Sequence, residues 1–316
     1  MSESIPTRDD IRAAYGRIKP YIRRTPVLSV EADAFDLPFE THFKLEHTQV
    51  TGSFKFRGAL NNMLSRDVPK AGVVAASGGN HGAGVAFAAT KLGHKSVIFV
   101  PKMIAKEEKL RRMRQFGAEV ILTEGNVADC MNEYTAYSNE TGALAIHPYD
   151  TAATLCGQGT AALEIEEQLD IDTLLVAVGG GGLIGGIASW CAGHTKVVAV
   201  ETHTTNTYSL SMEVGPDINV TPSGISAGSL GGPALGKLSY EVAKAHVASG
   251  VLVSDDDVFD AQRRLWDTTR LIAEPGGATA LAALTSGAYV PEKDERMGVL
   301  LCGGNAESDW FVEPTT

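Results

Sequence analysis

Apolar residues along this chain gather in short unbroken runs. Val73-Val74-Ala75-Ala76, Ser96-Val97-Ile98-Phe99-Val100-Pro101, Glu119-Val120-Ile121-Leu122, Leu174-Leu175-Val176-Ala177-Val178, Lys196-Val197-Val198-Ala199-Val200 and Val299-Leu300-Leu301-Cys302 all have strand length. A strand apolar on both faces belongs in a parallel sheet covered on both sides. Between these runs lie segments of helical character, from Ala59 through Leu64, Ala83 to Leu92, Lys106 to Phe116, Ala161 to Leu169, from Leu183 onward, and Val258 to Leu271. Strands alternating with helices predict an α/β protein with open, mainly parallel sheets. Residues about 199–253 are rich in Thr, Ser, Gly and Pro and read as loops facing a substrate or an interface. The chain shows no repeat period, low-complexity run or long linker.

Glycine marks the ends of the strand runs. Ser77-Gly78-Gly79-Asn80-His81-Gly82 follows the first, Gly179-Gly180-Gly181-Gly182 follows Leu174–Val178, and Gly303-Gly304-Asn305 follows Cys302. Open α/β sheets bind ligands at the carboxyl ends of their strands. Four glycines opening a helix offer free N–H groups with no Cβ in the way, a setting for phosphate. The Ser77 loop offers N–H groups and two polar side chains, which suit a carboxylate. Each loop taken alone also serves as a packing or capping turn.

A chain of 316 residues can bury a large core and fold as two domains. A formal charge of −11 argues against nucleic acid or an anionic membrane as partner. The N-terminus has no signal pattern and no apolar run is long enough to span a bilayer, so a cytoplasmic location is expected. Cys130, Cys156, Cys191 and Cys302 form no Cys-x-x-Cys pair and read as buried thiols in a reducing compartment. Asp255-Asp256-Asp257 reads as the acidic start of a helix, and Arg111, Arg112 and Arg114 as a solvated basic face.

Lys55 stands apart. It lies in Gly52-Ser53-Phe54-Lys55-Phe56-Arg57-Gly58, between glycines, behind an aromatic and ahead of an apolar helix. Desolvation there would lower its pKa, and a neutral amine can form a Schiff base with an aldehyde. A rival reading starts from Gly180-x-Gly182-x-x-Gly185, which fits the dinucleotide fingerprint, with Glu201 at the end of the next strand as the ribose-binding acid. That NAD-dependent oxidoreductase explains neither Lys55 nor the Ser77 loop.

Together these residues resemble the fold-type II (tryptophan synthase β-like) pyridoxal-phosphate enzymes, nearest the serine/threonine dehydratases and serine racemase. The resemblance runs from Arg24-Thr25-Pro26-Val27 through Lys44-Leu45-Glu46, Ser53-Phe54-Lys55, Ser77 to His81, Gly157-Gln158-Gly159-Thr160, the tetraglycine loop, Ala273-Glu274-Pro275 and Cys302 to Asn305. It implies a large domain from residues 1–68 and 150–316, and a small mobile domain from 69–149. Lys55 would carry the cofactor and act as the catalytic base. Phe54 would lie against its ring, Asn80 near its 3′-oxygen, Gly179, Gly180, Gly181, Gly182 and Leu183 around its phosphate, and Cys302 at its ring nitrogen. Ser77, Gly78, Gly79, Asn80 and His81 would hold the substrate carboxylate. The implied reaction is β-elimination from L-threonine, L-serine or a related 3-hydroxy amino acid, giving a 2-oxo acid and ammonia, with the cofactor phosphate protonating the leaving hydroxyl. A homodimer is the implied assembly. The alternative within the fold is an amino-acid racemase, but Gly78 stands where that activity needs a proton donor, and a serine there would be expected to add racemisation. The family's divalent-metal site would be weakened, because Glu201 and the Thr205 carbonyl are joined by Thr207 in place of an acid.

Overall fold

The computed structural model describes residues 4–306. Helix α1 (Arg8–Ile18) leads to strands β1 (Val27–Val30) and β2 (Thr41–Lys44) and helix α2 (Lys55–Leu64). Next come β3 (Val73–Ala76), α3 (Asn80–Lys91), β4 (Ser96–Pro101), α4 (Glu107–Gln115), β5 (Glu119–Thr123), α5 (Val127–Thr141) and β6 (Leu144–Ala145). The chain continues through α6 (Ala152–Gln168), β7 (Thr173–Ala177), α7 (Gly182–Cys191), β8 (Lys196–Thr202), α8 (Thr207–Val214), α9 (Ala227–Leu230) and α10 (Lys237–His246). It closes with β9 (Ser249–Val253), α11 (Asp255–Thr269), α12 (Pro275–Thr285) and β10 (Met297–Leu300).

The strands form two sheets. One has six strands in the order β1-β2-β10-β7-β8-β9, parallel except for the antiparallel β1–β2 pair. The other has four parallel strands in the order β5-β4-β3-β6 and is built from residues 73–145 alone. Alternate residues of each strand feed opposite cores, as pleating requires. Leu174, Val176, Val197 and Ala199 pack with α1, α6, α7 and α10, while Leu175, Val198 and Val200 pack with α11 and α12. Val73, Ala75, Ile98 and Val100 face α2, α3 and α4, and Val74, Val97 and Phe99 face α5. This double covering explains why the strand runs are apolar throughout.

Helix α2 joins the two sheets. Phe56, Leu60 and Met63 pack in the core of the four-stranded sheet. Its Arg57 lies in a buried ionic cluster with residues of the other half. Arg57 donates to Glu46 at 2.7 and 2.8 Å and to Glu164 at 2.8 and 2.9 Å, and Lys44 reaches Glu164 at 2.7 Å. All four side chains are fully buried, two cations against two anions. The cluster ties β2, α2 and α6 together beneath Lys55.

Several elements depart from the sequence expectation. The segment about 199–253 is not mainly loop: it holds the end of β8, helices α8, α9 and α10, and strand β9. Helix α6 begins at Ala152, well before Ala161, because the Thr151 hydroxyl accepts from the Thr154 N–H and caps it. Gly157 and Gly159 lie inside α6 and hide its start from a propensity reading. A Cβ on Gly157 would stand 2.6 Å from the Gly58 Cα, so the glycine is what lets α6 meet α2. The Asp255 cluster starts α11 as expected, with Ser254 as cap and Asp257 completing a capping box.

Candidate active site

The carboxyl ends of β3, β7 and β10 converge on the N-terminus of α2. Beyond β10 the chain runs along residues 52–54: the Phe54 N–H donates to the Cys302 carbonyl at 3.1 Å, and the Gly304 N–H to the Gly52 carbonyl at 2.9 Å. This pairing sets Cys302 beside Lys55. Phe54 is buried, with its ring centroid 5.2 Å from the Lys55 Nζ. Lys55 is the first residue of α2, and its amine donates to the Pro148 carbonyl at 3.0 Å. Gly84 of α3 lets that helix approach, since a Cβ there would lie 3.3 Å from the Lys55 carbonyl carbon. Burial lowers the Lys55 amine to about 8, and the nearby Glu274 carboxyl opposes that shift without cancelling it. The Cys302 thiol donates to the Gly276 carbonyl at 3.3 Å, and burial pushes its pKa up, so it stays neutral.

The tetraglycine loop leaves β7 and opens α7. Gly181 caps the helix at φ +88°, which only glycine adopts freely, and no side chain caps the N–H groups behind it. A Cβ on Gly180 would stand 2.3 Å from the Tyr149 ring. The Ser239 hydroxyl is buried without a partner among the described residues, 3.1 Å from where a Cβ on Gly181 or Gly185 would sit. Leu183 lines the same chamber with Phe54, Lys55, Asn80, Glu274 and Cys302. An uncapped helix start, absent Cβ atoms, an orphaned hydroxyl and a desolvated amine fit a phosphorylated aldehyde cofactor.

The Ser77 loop links β3 to α3. The Ser77 hydroxyl accepts from the Gly79 N–H at 3.2 Å, and no side chain caps α3. Its first N–H groups are therefore open to an anion. Asn80 lies in the first helical turn, not before it. Its amide donates to Glu274 and its carbonyl accepts from Asn305. His81 is buried and bonded to the Ile146 carbonyl at 2.9 Å. Burial and the Lys55 charge lower its pKa to about 3, so it is a neutral donor at that carbonyl. A Cβ on Gly78 would meet Val100 and Ile104 at 3.3 and 3.5 Å, whereas one on Gly79 would face the Gly228 carbonyl at 3.4 Å.

Glu201 ends β8, but its carboxylate is already engaged. It accepts from the N–H groups of Tyr208 and Ser209 at 2.6 and 2.9 Å and from the Ser209 hydroxyl at 2.9 Å, with the Thr207 hydroxyl at 3.2 Å. Thr207 also donates to the Gly179 carbonyl at 2.6 Å, and Thr205 exchanges a hydroxyl bond with Thr202 at 2.9 Å. The oxygens that a nucleotide ribose would need are thus bound to the start of α8, which disfavours the dinucleotide reading. Among the described residues no group of three or more His, Cys, Asp or Glu is placed to hold a metal ion.

One expectation needs correction, and four residues near the site were given no individual role by the sequence. Arg112 is not on a solvated face: its guanidinium turns inward to Asn305 and donates to the Thr51 carbonyl at 2.9 Å. Glu274 is buried in the chamber wall, and burial raises its pKa. Tyr149 lines the same chamber, Asn305 bonds to Asn80 beside it, and the Ser239 hydroxyl lies behind the tetraglycine loop. Glu274, set before a helix-starting proline, and Asn305, closing a glycine-marked strand end, had local signals; Tyr149 and Ser239 had none.

A family model described as pyridoxal-phosphate dependent enzyme matches residues 18–303. The chain belongs to that family, in the fold-type II class, and its members use pyridoxal 5′-phosphate. Within the class it falls among the dehydratases and racemases. It is 35% identical to the phenylserine dehydratase of Ralstonia pickettii over 98% of this chain and 96% of that protein. The solved T.th. threonine deaminase is similar, with a TM-score of 0.88 and 35% identity over 96% of this chain and 99% of that one. The structure of maize serine racemase gives a TM-score of 0.89 and 32% identity over 96% of each chain.

Proposed function

We propose that this chain is an ammonia-lyase that eliminates the β-hydroxyl of an L-3-hydroxy amino acid, threonine and serine included, to give a 2-oxo acid and ammonia. The observation that carries the reading is the desolvated Lys55 amine, lowered to about 8 and facing the tetraglycine loop across one chamber. Pyridoxal 5′-phosphate, when bound, draws electrons from the substrate Cα and makes its proton acidic. The chain's own residues do the rest. Lys55 takes the Cα proton at Nζ. The open N–H groups of the Ser77–His81 loop hold the α-carboxylate, and Asn80, braced by Glu274 and Asn305, fixes the edge of the chamber. The neutral Cys302 thiol of the chamber wall would hold the cofactor's ring nitrogen when it is bound, and a neutral thiol would not keep a proton there, which would favour prompt loss of the β-hydroxyl. Residues 69–149 are taken to close over the substrate as a small mobile domain. A cytoplasmic homodimer completes the reading.

Racemisation is the second reading, because racemase relatives are as similar as the lyases. It needs a proton donor on the Cα face opposite Lys55, and glycine at 78 has none. An ammonia-release screen over 3-hydroxy amino acids, with chiral analysis of the residual substrate, tests the choice. Ammonia in step with the 2-oxo acid supports elimination; the opposite enantiomer appearing as fast as the oxo acid would reject it.

A further inference from the structure

A line of hydrogen bonds crosses between the two halves of the molecule at the rim of the cofactor chamber. Asn80 of α3 and Arg112 of α4 belong to residues 73–145, which build the four-stranded sheet, whereas Thr51, Glu274 and Asn305 lie outside that segment. The Arg112 guanidinium donates to the Asn305 side-chain oxygen and, at 2.9 Å, to the Thr51 carbonyl. The Asn305 amide nitrogen donates to that same carbonyl at 3.1 Å and to the Asn80 side-chain oxygen at 2.5 Å. The Asn80 amide nitrogen donates in turn to Glu274. Gly52, at φ +72°, leaves room for the first link, because a Cβ there would stand 2.3 Å from the Asn305 oxygen and 3.1 Å from the Arg112 Nη2. Asn80 and Glu274 line the cofactor chamber, and Arg112 and Asn305 line the smaller hollow beside it.

The line has a direction. A guanidinium only donates, so Arg112 demands the oxygen of Asn305. The nitrogen of Asn305 then faces the Thr51 carbonyl and Asn80, and Asn80 answers with its oxygen and turns its nitrogen to Glu274. That nitrogen carries two hydrogens, and Glu274 accepts one, which leaves the other for a group in the chamber. Bonds donated by a cation are roughly twice as strong as neutral ones, and a line of hydrogen bonds polarises each of its members. Arg112 is half-buried, which limits competition from water. We infer that Arg112 is a positioning residue: it fastens the half that carries the Ser77 loop to the half that carries Lys55 and, through Asn305, holds Asn80 as an N–H donor to the chamber's occupant. The role rests on the elimination reading, in which that occupant is the cofactor with its substrate.

The test compares the wild type with Arg112→Met, Arg112→Lys, Asn305→Ala and the double variant Arg112→Met with Asn305→Ala, each loaded with pyridoxal 5′-phosphate. One readout is the ratio of the violet and near-ultraviolet absorbance bands of the bound cofactor, which follows hydrogen bonding at its 3′-oxygen and needs no substrate. The other is kcat/KM for L-threonine and L-serine per bound cofactor, so that loss of folded or loaded enzyme cancels. Arg112→Met should change the band ratio about twofold or more and lower kcat/KM roughly 10- to 100-fold, the worth of one charge-assisted hydrogen bond. Arg112→Lys, which keeps the charge and a donor, should recover most of the loss. The double variant should be no worse than the poorer single one, because the two residues are links in series. An unchanged band ratio in Arg112→Met, with kcat/KM within about twofold of the wild type, would overturn the inference, and so would losses that multiply in the double variant. No ammonia from any 3-hydroxy amino acid would remove the elimination reading, while the band ratio would still decide the role of Arg112.

Discussion

The Lys55 amine owes its chemistry to where α2 begins. A helix start wedged between Phe54, Cys302 and the Pro148 carbonyl keeps water from it, and desolvation lowers its pKa from 10.5 to about 8. Below about 8 the amine is protonated and cannot attack an aldehyde, and each pH unit removes about nine-tenths of the neutral form. Uptake of pyridoxal 5′-phosphate by the cofactor-free protein should therefore quicken about tenfold per pH unit below the pKa and level off above it. Stopped-flow absorbance in the violet measures this. A rate still climbing steeply at a pH near 10.5 would mean that the lysine is solvated like any surface residue.

At the scale of elements, the start of α8 does what a bound cation could do. Three N–H and O–H groups from Tyr208 and Ser209 fill the Glu201 carboxylate, and Thr207 passes the brace on to the Gly179 carbonyl of the tetraglycine loop. Glu201→Ala should cost about 1–2 kcal/mol in urea unfolding, as lost caps do, and should weaken cofactor retention. Chelation with EDTA should change the wild-type activity little. A large loss restored by Mg²⁺ would contradict this account. Strand runs, glycine loops and Lys55 were legible in the sequence because each is a local pattern. Helix α6 was half hidden because Gly157 and Gly159 serve contacts with other helices, not helix propensity. Glu274, Tyr149, Arg112 and Ser239 carried little or no such pattern. They come from four distant segments, and only the packing of the two sheets brings them together around the site.

For the whole molecule, α2 is the element that both halves share. It packs in the core of the four-stranded sheet, starts at the site, and is pinned to the other half by Arg57. Arg57→Ala would leave Glu46 and Glu164 buried with Lys44 as the sole remaining cation of the cluster. It should cost about 3–5 kcal/mol, seen as a lowered urea midpoint, where a change under about 1 kcal/mol would show the cluster to be dispensable. Two parallel sheets, held by this helix, thus present their strand ends to one lysine. The most direct test of the elimination reading is the paired release of 2-oxo acid and ammonia from a 3-hydroxy amino acid by the cofactor-loaded wild type and by Lys55→Ala. The wild type should release the two products in equal amounts, and the variant should lose essentially all turnover. Near-normal release by Lys55→Ala would contradict the account.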